Sequence, residues 1–310
     1  MDIQKILKPL RIDHWVKNLV ILFGFIVALL YAPTHNIDYN NLILAFFILC
    51  ISASSNYLIN EYLDRKHDKN HPVKKWRYFV KNEKSLKYII FNYFILILLS
   101  IFLSTFINKS FLIINLFFIF CGIIYNVKPF RFKEIIIIDV FLEAVNNPTR
   151  FLMGWVLVLP NYYPPISIIL FLWLAGCFLM TMKRYSEFKF IKSKKIKPET
   201  YRKSFKKYNT KLLFSLSLFY CLTSFFFFTI FLIKYKIELL LIVPLVCYLY
   251  VHIFLLSEKK DSIIMKIEKI YKDKTFIFIF LFIFIMSLLL LKVDIGLFKI
   301  FTLEYLVPVK

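Results

Sequence analysis

Long apolar runs separated by short, densely charged connections make up almost the whole chain. A helix needs roughly 20 mostly apolar residues to cross about 30 Å of hydrocarbon. Nine runs meet that length, near residues 16–33, 41–60, 88–107, 110–127, 135–159, 165–183, 211–233, 238–257 and 275–292. They are read as helices, because lipid leaves the backbone of an unpaired strand without hydrogen-bond partners. The expected fold class is therefore all-α, a polytopic membrane helix bundle of about nine transmembrane helices. No Gly/Ser-rich linker or internal repeat divides the pattern, so residues 1–310 read as a single integral membrane domain.

Charge supports the division. Assigned to alternating sides, the connections carry 34 Lys and Arg on one side and six on the other, with Arg150 left inside the fifth run. That asymmetry predicts a cytoplasmic N-terminus and an external C-terminus, in a bacterial plasma membrane, with the polar motifs facing the cytoplasm. Composition agrees, since 60% of the 310 residues are hydrophobic, more than a soluble domain of this length hides in one core. An excess of 41 Lys and Arg over 19 Asp and Glu would point to nucleic acid in a soluble protein. Here it sits between membrane spans and points to lipid headgroups and phosphorylated substrates. Cys50, Cys121, Cys177, Cys221 and Cys247 all fall in apolar stretches without metal-ligand spacing and read as buried thiols. The N-terminal segment shows no small-residue cleavage site after its first apolar run, so no signal peptide is expected.

Three polar stretches interrupt the apolar pattern where chemistry is affordable. The first is NEYLDRKHDKNHPVKKWR, residues 60–77. Asn60, Asp64 and Asp68 are spaced by four, which places them on one helical face at the end of the second span. Two carboxylates and an amide oxygen are hard ligands suited to Mg²⁺, which commonly binds one or two carboxylates plus substrate phosphates. Lys74, Lys75 and Arg77 follow and can neutralise a departing pyrophosphate; a solvated basic loop is the plainer reading of the same residues. The second stretch is DVFLEAVNNPTR in the fifth run. A regular helix would align Asp139, Glu143, Asn146 and Arg150 in one stripe, facing a polar cavity or pairing internally, with Pro148 kinking or breaking the helix. The third is TMKRYSEFKF, where Lys183, Arg184 and Glu187 can form a shared cluster or simply anchor a membrane exit. Tyr125 and Lys128 in IIYNVKPFRFK, and Trp15, Lys17 and Asn18 in HWVKN, are weaker candidates on the same side. The five His show no metal-ligand pattern, and no Walker loop, dinucleotide fingerprint or nucleophile elbow is present.

LRIDHWVKN, NEYLDRKHDKNHPVKKWR, YNVKPFRFKEIIIIDV, and MKRYSEFKF followed by YRKSFKKY give residues 8–215 a resemblance to a known family. The chain resembles the UbiA-type intramembrane prenyltransferase superfamily, and within it the polyprenyl (decaprenyl)-phosphate phosphoribosyltransferases. The resemblance implies a helix bundle around a cytoplasm-facing cavity. It also implies catalytic, metal-binding roles for Asn60, Asp64 and Asp68 with Mg²⁺, and phosphate binding by Lys74 and Arg77. Two departures stand out: Glu61 replaces the usual Asp, and Lys183, Arg184 and Glu187 stand where aromatic prenyltransferases carry a second Asp-rich motif.

The leading expectation is transfer of 5-phosphoribosyl from phosphoribosyl diphosphate to a polyprenyl phosphate, with release of pyrophosphate. Lys17, Lys128, Lys183 or Arg184 would position a phosphorylated substrate, and Tyr125, Glu187 and the span-five residues Glu143, Asn146 and Arg150 are counted with them as substrate- or phosphate-binding candidates. Transfer of an isoprenyl group from prenyl diphosphate to an aromatic or other small acceptor is the second reading. A lipid-phosphate carrier or flippase is the third. The expected partners are a diphosphate donor, a polyprenyl lipid and membrane lipids, and no nucleic acid; a homo-oligomer stays open.

Overall fold

A computed structural model describes residues 8–32, 38–69, 74–82, 86–259, 261–296 and 298. His71 and Pro72 of the first motif, and residues 299–310, lie outside the described residues. All regular structure among the described residues is helical. Two compact units are present, one formed by Met1–Pro164 with Phe188–Thr210, the other by Pro165–Glu187 with Lys211–Lys310.

In the first unit, α1 (Ile12–Tyr31) opens as 3₁₀ turns and becomes α-helical from Val20. α2 (Tyr39–Asp68) is 30 residues long, capped at its start by Asp38, whose side chain accepts the Asn40 and Asn41 amide protons. A short α3 (Tyr78–Lys81) follows, then α4 (Leu86–Ser104) and α5 (Lys109–Asn126). Next come two short helices, α6 (Ile138–Ala144) and α7 (Asn146–Trp155). The unit is completed by the end of α8 (Ile166–Ser193) and the turn α9 (Pro198–Tyr201).

α2 packs on α4 and α5, and α1 packs along α7. The second contact is made backbone to backbone. A Cβ at Gly24 would sit 1.9 Å from the Phe151 carbonyl oxygen, and one at Gly154 would sit 1.9 Å from that of Ile21. Small residues are how membrane helices reach such proximity. Gly154→Leu is expected to cost about 3 kcal/mol or more, because a backbone cannot step aside as a side chain can. A melting temperature in detergent unchanged from wild type would contradict this. α2, α4 and α5 are further tied by a buried polar chain. Ser52 Oγ donates to Asn115 Oδ1 (2.7 Å), and Asn115 Nδ2 donates to Ser104 Oγ (3.0 Å). Left unpaired in an apolar interior, such an amide would cost a few kcal/mol.

The second unit holds the start of α8, α10 (Thr210–Tyr235), α11 (Val243–Glu258) and α12 (Lys274–Leu290). Its interior is aromatic: Phe171 stacks on Phe228, Phe178 stacks on Tyr250, and Ser224 Oγ bonds Tyr250 Oη at 3.1 Å.

Among the described residues, seven helices are long and apolar enough to cross a membrane, and a bent pair, Ile263–Lys272 with Lys274–Leu290, makes up to eight. Their outward faces are apolar, as at Phe94, Leu98 and Phe102 on α4. The fifth expected span corrects the sequence reading, because no single helix runs from 135 to 159. The helix ends at Ala144 and restarts at Asn146. The break falls at Ala144 and Val145, just upstream of Pro148, whose missing N–H leaves the Ala144 carbonyl without its intrahelical donor, so Pro148 comes to lie in the first turn of α7. The expected stripe is therefore divided between two helices.

Candidate active site

α2 stays helical past its apolar stretch, and Arg65, Lys66 and His67 in its last turn suit the negative end of the helix dipole. Asn60, Asp64 and Asp68 therefore sit on successive turns, as their spacing predicts. Around them the loop after α5 turns back. Arg131, in the left-handed region at φ 40°, lets that loop reverse just beyond Asn126. It brings two cations onto one carboxylate oxygen: Arg131 Nη2 and Lys133 Nζ donate to Asp64 Oδ1 at 2.8 and 2.7 Å. Lys133 Nζ also donates to Asn126 Oδ1 at 3.1 Å, and that oxygen accepts from Asn60 Nδ2. Asn60, Asp64, Asn126, Arg131 and Lys133 are thus one network. Asp68, buried, accepts from Arg77 Nη1 at 2.6 Å.

The electrostatics follow from burial. Lys133 is pushed down to about 8 by burial, while the Asp64 carboxylate pulls it back up. Arg77 is lowered from its ordinary value by burial and by Arg11, with Asp68 and Glu61 opposing. Glu134, half-buried, accepts from Arg131 Nε and pairs with Lys203 at 3.0 Å, which lowers it below the usual carboxylate range against the pull of desolvation. Residues 198–208 reach the same loop: Tyr208 Oη accepts the Ile137 amide proton (2.8 Å) and donates to Asp139 Oδ1 (2.7 Å).

The remaining candidates are distributed as follows. Lys74 lies over the Tyr201 ring at 5.7 Å. Lys128 is exposed, and the cations that grip Asp64 come from Arg131 and Lys133 in the same loop instead. Lys17 is half-buried on α1. Tyr125 Oη donates to Glu143 Oε2 at 3.0 Å, and Asn146 Nδ2 donates to the Glu143 carbonyl, closing the end of α6. Arg150 Nε donates to Asn18 Oδ1 at 2.9 Å. Arg150 is thus paired with neither Asp139 nor Glu143. Lys183, Arg184 and Glu187 lie on α8 in the second unit, where Arg184 and Glu187 approach to 3.8 Å and both are buried. Glu61, buried behind the motif, accepts from Arg11 and from the Phe79 amide, so its carboxylate acts as a clamp between the N-terminal segment and α3.

No cluster of three or more His, Cys, Asp or Glu in a metal-holding arrangement occurs among the described residues. The donor set still fits Mg²⁺. Asp64 Oδ2 and Asp68 Oδ1 accept no hydrogen bond from the described residues, and each is a hard oxygen of the kind this ion shares with substrate phosphates.

The model of the UbiA prenyltransferase family matches residues 21–272. The chain belongs to this family. UbiA-family members are transferases, and the long apolar helices make this one an integral membrane protein. Among curated proteins, this UbiA-family chain is 27% identical over 177 residues to the nodulation protein NoeC of Azorhizobium caulinodans, covering 57% of this chain and 55% of that one. It is 36% identical over 78 residues to the decaprenyl-phosphate phosphoribosyltransferase of Mycolicibacterium smegmatis, covering 23% of each. The chain thus spans about half of the first relative's length and a quarter of the second's. Among solved structures, a UbiA homolog from Archaeoglobus fulgidus bound to DMAPP and Mg²⁺ superposes with a TM-score of 0.69 at 18% identity, covering 94% of this chain and 100% of that one. A digeranylgeranylglyceryl phosphate synthase structure gives a TM-score of 0.64 at 20% identity, covering 94% and 99%. These likenesses establish the UbiA fold.

Proposed function

We propose that the protein transfers 5-phosphoribosyl from phosphoribosyl diphosphate to a membrane polyprenyl phosphate, with Mg²⁺ at Asn60, Asp64 and Asp68. The observation that carries this reading is the network on Asp64, where carboxylate and amide oxygens stand among Arg131, Lys133 and Arg77 at the end of an apolar helix. That is the chemistry of a metal-bound diphosphate beside a lipid. Phosphoribosyl is favoured as the donated group by the partial likeness to decaprenyl-phosphate phosphoribosyltransferases and by Lys183, Arg184 and Glu187 in place of a second Asp-rich motif.

Bound Mg²⁺ supplies charge neutralisation to the diphosphate. Arg131, Lys133, Arg77 and Lys74 hold its oxygens by charge-assisted hydrogen bonds. The ribose C1–O bond breaks, its electron pair leaves with pyrophosphate, and an oxygen of the acceptor phosphate forms the new bond to C1. That oxygen is already ionised near neutral pH, so the step needs no strong base. By the charge asymmetry of the connections, this end of α2 faces the cytoplasm of a bacterial plasma membrane.

The second reading makes prenyl diphosphate the donor and a small acceptor the nucleophile, and the DMAPP held by the A. fulgidus homolog favours it. Purified protein given labelled phosphoribosyl diphosphate, polyprenyl phosphate and Mg²⁺ is expected to yield lipid-linked label, lost on chelation. Consumption of prenyl diphosphate without any lipid-linked ribose would replace the first reading by the second.

A further inference from the structure

Arg150 is only 6% exposed, yet no anionic partner closes on it. Among the described residues its hydrogen bonding is confined to Nε, which donates to Asn18 Oδ1; Asn18 in turn is fixed by donating to Cys50 Sγ at 3.2 Å. The guanidinium lies over the Phe118 ring, 5.5 Å from its centroid. Nη1 and Nη2 donate to no described residue, and neither is sealed from accessible space. Glu143 and Tyr57 are near enough to attract the charge, but Glu143 gives its Oε2 to Tyr125 and makes no ion pair with Arg150. A buried cation without a counter-charge is expensive. Inside membrane helices such residues face pathways that carry polar ligands.

The position relates this arginine to the first motif. Asn56 Nδ2 donates to the Phe118 carbonyl, so the Phe118 backbone lies near the level of Asn56 on α2. Asn56 precedes Asp64 by eight residues, about 12 Å of helix at 1.5 Å per residue. An anion on Arg150 is therefore a different group from the diphosphate at Asp64 and Asp68, within reach of the same pair of bound substrates. The planar fork of a guanidinium suits the oxygens of a phosphate.

We propose that Arg150 receives a second phosphate group, carried by one of the two substrates and separate from the diphosphate at the first motif. The substrates' identity rests on the function proposed above. The group is either the phosphate of the polyprenyl acceptor or the 5-phosphate of the donor.

Two measurements test it, both on the full chain in detergent. The first uses inorganic phosphate without Mg²⁺ and compares Lys133→Gln with Lys133→Gln/Arg150→Met, so that binding at the first motif is already weakened. Phosphate is expected to raise the melting temperature of the single variant, and the phosphate concentration giving half that rise is expected to increase about tenfold or more in the double variant. No rise in the single variant, or a midpoint within twofold in the double, overturns the proposal. If the Met variant does not fold, Arg150→Lys replaces it with the same criterion set at threefold. The second measurement takes KM for each substrate in Arg150→Lys. One KM is expected to rise about tenfold with the other unchanged, and the one that rises names the source. Both unchanged overturns the proposal. If the phosphate measurement succeeds while wild type turns over neither substrate, the anion site stands and the phosphoribosyl reading falls.

Discussion

Asp64→Asn lowers turnover by about a hundred- to a thousand-fold, the loss expected when a charged group that stabilises a transition state is removed. It also lowers stability, because Arg131 and Lys133 then face a neutral amide from inside the protein. A loss of activity alone would therefore not separate chemistry from folding. The double variant Asp64→Asn/Lys133→Met separates them. Removing the stranded buried cation restores much of the melting temperature, since a buried charge is costly only when its partner is missing. Turnover stays as low as in the single variant. The paired readouts are thermal melting in detergent and lipid-linked label formed across a Mg²⁺ titration. Recovery of activity in the double variant would remove Asp64 from the metal site and leave it a purely structural acceptor. Asp68→Asn is expected to follow the same course, with Arg77 as the cation left behind.

Lys133→Met gives the second large effect with a different signature. Its ammonium bridges Asp64 and the amide that holds Asn60, so a neutral side chain uncouples two of the three proposed ligands and withdraws one cation from the diphosphate. Turnover is expected to fall about a hundred-fold. Stability should change little, because Asp64 keeps Arg131 and the cost of burying an ammonium is relieved. Lys133→Arg, which keeps the charge on a longer fork, is expected to lie between the two. A Met variant that turns over at the wild-type rate would leave Lys133 a packing residue.

What the sequence made visible was what helical periodicity determines. Asn60, Asp64 and Asp68 share a face because α2 continues unbroken through them, and spacing by four suffices to say so. Arg131 and Lys133 escaped because they act from a loop whose direction depends on a left-handed residue, for which a string of residues offers no period. Lys128, in the same run of FRFK-type basic residues, was equally visible and is exposed. The continuity of the fifth span was misjudged for the opposite reason. Its spacing was regular but its helix was not, and the partners of Asp139, Glu143 and Arg150 came from Tyr208, Tyr125 and Asn18, far away in the chain. Glu61 was visible only as a departure from a motif. Its role required Arg11, fifty residues earlier, to be seen beside it.

The glycine contact between α1 and α7 has a bearing on selectivity. Gly154 lies one turn beyond Arg150, and Ile21, whose carbonyl it touches, lies one turn beyond Asn18. Backbone pressed on backbone cannot slide by a fraction of a turn as interleaved side chains can. The height of the guanidinium along α1 is therefore fixed, set by two helices in rigid register. With the phosphate proposed for Arg150, a cation held at a fixed height would select ligands by the distance between their charges, before any atom of the reacting bond has moved.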